Sequence, residues 1–149
     1  MDEIEIMSLK KVTNEKGFLM EVQRNDDAEF PGFGQAYITA TNPGVIKAWY
    51  RHRKQIDQIT LIRGELLLVL YDTRENSISF NQIKEIYIVE KDPLLVQIPP
   101  GVWHGFKTLS NDPAILLHMN NIAYDFENKD EDRLLPNDKT IPYKWERKL

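Results

Sequence analysis

The sequence predicts an all-β protein, a sandwich or barrel of many short strands with little helix. Three observations lead there. Apolar residues recur with period two in short runs, the pattern of half-buried strands. Turn signals separate these runs at roughly 8–12-residue spacing, as in sandwiches and barrels. No stretch keeps a 3.6-residue apolar period between caps, so helix is expected to be minor.

The elements follow in order. AYITAT (Ala36 to Thr41) reads as a strand and stops at the turn triplet Asn-Pro-Gly. In the next strand residues two apart share a face. Tyr50, His52 and Lys54 therefore point one way, and Trp49, Arg51 and Arg53 the other. IDQITLI (Ile56 to Ile62) and ELLLVLYD (Glu65 to Asp72) flank Gly64, which predicts a tight hairpin. EIYIVE (Glu85 to Glu90) sets Ile86 and Ile88 against Tyr87 and Val89. PLLVQIP (Pro93 to Pro99) and AILLHMNN (Ala114 to Asn121) add two more strands. The tail, Tyr124 to Leu149, is charged and contains proline. It is expected to be an irregular arm, packed through Ile141, Tyr143 and Trp145.

A chain of 149 residues fits one domain, 1–149. With 42% hydrophobic and 28% charged residues, the composition is that of an ordered soluble protein. No apolar run is long enough to span a bilayer, and MDEIEIMSLKK has no continuous apolar core, so neither a membrane span nor a secretion signal is expected. The absence of cysteine excludes disulfides, thiolate zinc sites and cysteine nucleophiles. A cytoplasmic location is the default expectation. The net charge of −4 gives nucleic-acid binding no electrostatic support.

The chemistry concentrates on three histidines, His52, His104 and His118, all in or beside predicted strands. Histidine titrates near neutrality and ligates metals as the neutral imidazole, so convergence of the three would mark a site. IPPGVWHGF stiffens the backbone at Pro99 and Pro100, turns at Gly101 and releases His104 into the next strand.

These residues carry a resemblance. Gly44, Tyr50, His52, Asp57 and Gly64 match the spacing of the first cupin motif, and PPGVWH matches the second, with His104 as its histidine. The resemblance implies the cupin fold, a double-stranded β-helix (jelly-roll) barrel. The chain further resembles the dTDP-4-dehydrorhamnose 3,5-epimerase family, through NEKGFLMEV (with Glu21), GVIKAW, GELLLVLYDTRENSISF and IPPGVWHGFKTLS. That likeness runs in order from about Asn14 to Asp138. It implies a reaction on a nucleotide-linked 4-keto deoxy sugar without a cofactor. Relative to the family, Tyr50 stands where the base histidine would be, Asp57 where the lysine would be, and His118 near the acid tyrosine. Lys47 replaces an arginine, and Asp138 matches an aspartate that orients the base. Trp49, His52, Gln55 and Asp57 sit on the Trp-x-x-His-x-x-Gln-x-Asp pattern of a divergent subgroup.

Epimerisation beside a ketone needs a base, an acid on the other face and a donor to the enolate oxygen. His52 and His104 are the candidate bases, Tyr50 and His118 the candidate acids, and Asp57 and Asp138 the candidate orienting carboxylates. Glu21, Lys47, Trp49, Arg51 and Gln55 are candidate substrate contacts, with Lys47, Arg51 and Arg53 facing a diphosphate. Two alternatives stand beside this reading. One is a metal-dependent cupin using His52, Asp57 and His104, whose donors suit Fe(II), Mn or Zn. The other is a non-catalytic module that binds a sugar nucleotide. The expected partners are a nucleotide-linked deoxy sugar and a second copy of the chain, since exposed barrel strands need cover; neither nucleic acid nor membrane is expected.

Overall fold

The computed structural model of the protein describes residues 1–145, so residues 146–149 of the predicted arm lie outside the described residues. The described strands are β1 (Glu5–Ser8), β2 (Lys11–Asn14), β3 (Gly17–Met20), β4 (Gln35–Thr41), β5 (Ile46–His52) and β6 (Asp57–Arg63), then β7 (Glu65–Asp72), β8 (Ile83–Val89), β9 (Leu94–Ile98), β10 (Val102–Thr108), β11 (Ala114–Asn120) and β12 (Glu131–Arg133). One antiparallel five-stranded sheet runs β1-β9-β6-β11-β4 and the other β12-β5-β10-β7-β8, with β2-β3 as a separate hairpin. The all-β jelly-roll expectation holds, but the minor helix does not: no helix occurs among the described residues.

The two sheets face each other, and strand alternation decides what lies between them. Ile59 and Leu61 of β6, Leu66, Leu68 and Leu70 of β7, and Leu116 of β11 meet there in one dry core. Each such side chain contributes roughly 1.5–3 kcal/mol on burial. The alternation predicted for Ile86, Ile88 and Tyr87 is also correct, with the isoleucines buried and Tyr87 exposed.

The predicted hairpin across Gly64 is absent. β6 and β7 belong to different sheets, and Gly64, at φ +100°, turns the chain from one to the other. A strand–glycine–strand pattern fits both arrangements, and a non-glycine residue would be strained at that φ. Gly105 has a different reason to be glycine. A Cβ there would lie 2.4 Å from the Ala48 Cβ, so β10 and β5 approach more closely than side chains allow.

The outer faces are covered differently. Over the first sheet, the Gln97 amide donates to Gln58 (2.9 Å) and to the Glu29 carbonyl (2.7 Å), which pins the segment before β4. Over the second sheet lies the C-terminal arm. Ile141 and Trp145 pack with Trp49, Leu67, Val69, Tyr71 and Trp103 as a second core, and Tyr143 borders it. The arm is therefore docked through the three residues expected.

Candidate active site

Strand register gathers polar side chains at one end of the space between the sheets. Asp57 of β6 and Asn120 of β11 are directly paired, and Asn120 pairs in turn with Gln35 of β4. One inward row further along the strands lie Ile59, His118 and Tyr37. The opposite sheet supplies His104 from β10, paired with Tyr50 of β5, and His52 at the end of β5.

Asp57 is the hub. Its Oδ2 lies 2.9 Å from His104 Nε2 and 3.8 Å from His52 Nε2. The Asn120 amide donates to its other oxygen at 2.8 Å and accepts from Gln55 (3.2 Å) and Gln35 (3.3 Å). Burial pushes the Asp57 carboxyl up, but the His104 hydrogen bond and the neighbouring imidazoles outweigh it and hold the group below the usual carboxylate range.

The partners assign the ring protons. A carbonyl only accepts. His104 Nδ1–H therefore donates to the Val102 carbonyl (3.1 Å), and His52 Nδ1–H to the Asp130 carbonyl (2.9 Å). Asp57, an ionised carboxylate, also only accepts, so both ring nitrogens of His104 face acceptors. His52 differs. Its Nε2 lone pair receives the Gln55 amide at a long 3.4 Å. Two imidazoles with ring centroids 5.8 Å apart are thus held in different hydrogen-bond settings.

On the far wall, His118 Nε2 shares a 2.8 Å hydrogen bond with the Thr39 hydroxyl. Burial pushes the His118 ring down, toward the neutral form, and the Lys47 charge acts in the same direction. Tyr37 stacks on His118 with ring centroids 4.5 Å apart. Burial and the Asp57 charge push the Tyr37 phenol up to about 12.

The structure brings together His52, Asp57, His104, Gln55 and Tyr50, with His118 on the facing sheet and Lys47 within electrostatic reach of it. It does not bring in five others. Asp138 caps its own turn, accepting from the Thr140 backbone N–H (2.9 Å), and stands on the arm outside the second sheet. Trp49 is fully buried on the outer face of β5, its indole N–H donating to the Pro136 carbonyl (3.3 Å), because alternation turns it away from His52. Arg51, on that same face, pairs with Asp132 at 2.9 Å and lies over the Trp103 ring. Glu21 is exposed at the groove outside the first sheet, beside Arg24. Arg53 is engaged at the rim, donating to the Lys129 carbonyl (2.6 Å).

Asn120, Tyr37, Thr39 and Asp130 were not legible as site residues. Asp130 binds the backbone N–H groups of Arg53, Lys54 and Gln55 with its carboxylate, so it shapes the loop that carries Gln55. The donor atoms of His52, Asp57 and His104 lie within 4.8 Å of one another, so the set also has the residue types and convergence to hold a divalent cation.

The chain can now be set beside known proteins. The family model described as dTDP-4-dehydrorhamnose 3,5-epimerase matches residues 1–149. The spore coat polysaccharide biosynthesis protein SpsL of Bacillus subtilis is 34% identical over 145 residues, covering 97% of this chain and 96% of that protein. The "Probable low-salt glycan biosynthesis epimerase Agl13" of Haloferax volcanii is 33% identical over 134 residues, covering 89% and 86%. Among solved structures, a dTDP sugar isomerase from Desulfovibrio desulfuricans G20 superposes with a TM-score of 0.91 at 26% identity, over 97% of this chain and 91% of that one.

Proposed function

Because the chain belongs to the dTDP-4-dehydrorhamnose 3,5-epimerase family, we propose that it epimerises or isomerises a nucleotide-linked 4-keto-6-deoxy sugar by proton transfer through an enolate. The observation that carries this is the unequal setting of two neighbouring imidazoles around one buried carboxylate. His52 Nε2, held only by the 3.4 Å contact from Gln55, releases it and takes the proton beside the ketone. The His104 ring, its two nitrogens engaged by Asp57 and the Val102 carbonyl, stabilises by positive charge the oxygen on which negative charge develops. Asp57 holds His104 in that form, while Asn120 and Gln55 fix Asp57 and His52 in turn. Tyr50 lines the same wall. No cofactor is required.

Proton NMR in D₂O with a dTDP-4-keto-6-deoxyhexose tests the reading. Deuterium is expected at C3, at C5 or at both. Absence of exchange with any nucleotide would overturn it, and tight binding without exchange would instead make the protein a sugar-nucleotide-binding module. A second reading rests on the convergence of His52, Asp57 and His104. There a cation would displace the proton between His104 and Asp57, and stoichiometric metal in untagged protein would favour it.

The names of the relatives support a place in polysaccharide or glycan biosynthesis, and rhamnose-type sugars fit that class of substrate. No described helix is long and apolar enough to cross a membrane; a cytoplasmic location remains our expectation, as does a single domain over residues 1–149. We also propose a homodimer. Val12, Phe18 and Leu19 of the β2-β3 hairpin and Ile38 of edge strand β4 are all more than half exposed. Such apolar surface on a hairpin that pairs with no other strand fits a second copy. Light scattering at micromolar concentration should give twice the chain mass, and a monomer would refute this.

A further inference from the structure

An epimerase must remove a proton from one face of a carbon and return one to the other. The two imidazoles that manage the first half of that task both sit on the β5-β10 sheet, His52 on β5 and His104 on β10. Tyr50, a candidate acid by sequence, belongs to that same sheet, with the Arg133 guanidinium over its ring, and so cannot reach the opposite face. The acid must come from the facing sheet.

Two side chains there have the chemistry, His118 and Tyr37. His118 is buried, its Nε2 engaged by Thr39, and one face of its ring is covered by Tyr37. Tyr37 lies between His118 and the open space, and is 42% exposed. Register places the pair one inward row from Asp57 and Asn120, whose amide holds Asp57. The two rings are within 6° of parallel, so the imidazole serves as a flat backing that fixes the direction of the phenol.

We infer that Tyr37 is the proton donor on the face of the sugar opposite His52, placed by its stack on His118 and by its register position on the facing sheet. The inference rests on the proton-transfer function proposed above. In the step, the Tyr37 O–H bond breaks and the enolate electron pair forms the new C–H bond, which regenerates the ketone and leaves a phenolate. The exposed phenolate regains its proton from water, and His52 releases the one it took. No oxidant, reductant or co-reactant is consumed. The phenol is protonated at neutral pH, as a donor must be.

The test separates removal of the proton from its return. Native protein and Tyr37→Phe are incubated in D₂O with a dTDP-4-keto-6-deoxyhexose, and both deuterium uptake and inverted product are followed by NMR. The thermal unfolding midpoint checks that the variant is folded. Tyr37→Phe is expected to keep exchange within a few-fold of native, while inversion falls by about 10²-fold or more. Inversion at the native rate would overturn the inference. So would a parallel fall of exchange and inversion, which is what a purely structural role for the ring predicts. A His118→Gln variant that loses inversion while Tyr37→Phe keeps it would move the role to His118. If the native protein neither exchanges nor inverts, the proposed function fails and this inference falls with it.

Discussion

Replacing His52 with glutamine should lower turnover by about 10²–10⁴-fold, the usual contribution of a general base, with little loss of stability. The Asp130 carboxylate still binds the backbone N–H groups of Lys54 and Gln55, so the loop and arm that meet at His52 should stay in place. What glutamine lacks is a basic lone pair at the position of Nε2. The comparison that gives this result meaning is His104→Gln. His104 is the direct partner of a buried carboxylate, and its removal leaves Asp57 charged with only the Asn120 amide and the more distant His52 ring beside it. Breaking a buried pair from one side typically costs about 3–5 kcal/mol. The two variants should therefore both lose activity, but only His104→Gln should also lose much stability. Steady-state kinetics and urea unfolding of the pair distinguish the outcomes. Normal turnover in His52→Gln would remove His52 as the base.

Trp49→Ala should be the most destabilising single change outside the space between the sheets. The indole is fully buried, edge-on to Tyr143 and tilted against Trp145 at 5.0 Å between centroids. Truncating a large aromatic in a core usually costs about 3–5 kcal/mol. For a chain of this size that corresponds to a fall in melting temperature of roughly 10 °C or more. The loss should also reach the active site. The backbone of Trp49 exchanges hydrogen bonds with Leu134, and β12, between Leu134 and Asp130, pairs with β5. Releasing the arm would loosen the carbonyl that fixes the His52 tautomer. Differential scanning calorimetry should find the lower midpoint; an unchanged midpoint would mean that the arm adds little to stability.

Much of this was legible in the sequence, for a physical reason. Alternation is a local property, so Tyr50 and His52 could be placed on one face and Trp49 and Arg51 on the other. His52, Asp57 and His104 lie on short motifs whose spacing carries them to the same end of two facing sheets. The hairpin across Gly64 was misjudged because local pattern cannot say which sheet the next strand joins. Asn120, Tyr37 and Asp130 were missed because their places depend on register between distant strands. The carbonyl that fixes His52 belongs to a residue 78 positions away. Trp49 and Asp138 were placed in the site by motif position, yet Trp49 faces outward and Asp138 sits on the arm that covers it.

The glycine corner after β6 also bears on how the chain assembles. Because it sends consecutive strands into opposite sheets, β6 finds its partners in β9 and β11, and β7 finds one of its two in β10. Loop-closure entropy must be lost before any of these contacts forms. Topologies dominated by such distant pairing fold on a scale of roughly milliseconds to seconds. A nascent chain released through β8 would hold one long antiparallel pair, β7 with β8, and would leave β6 with neither of its neighbours. The carboxylate of Asp57, buried in the finished fold, would then stand in water until the last third of the sequence had emerged to enclose it.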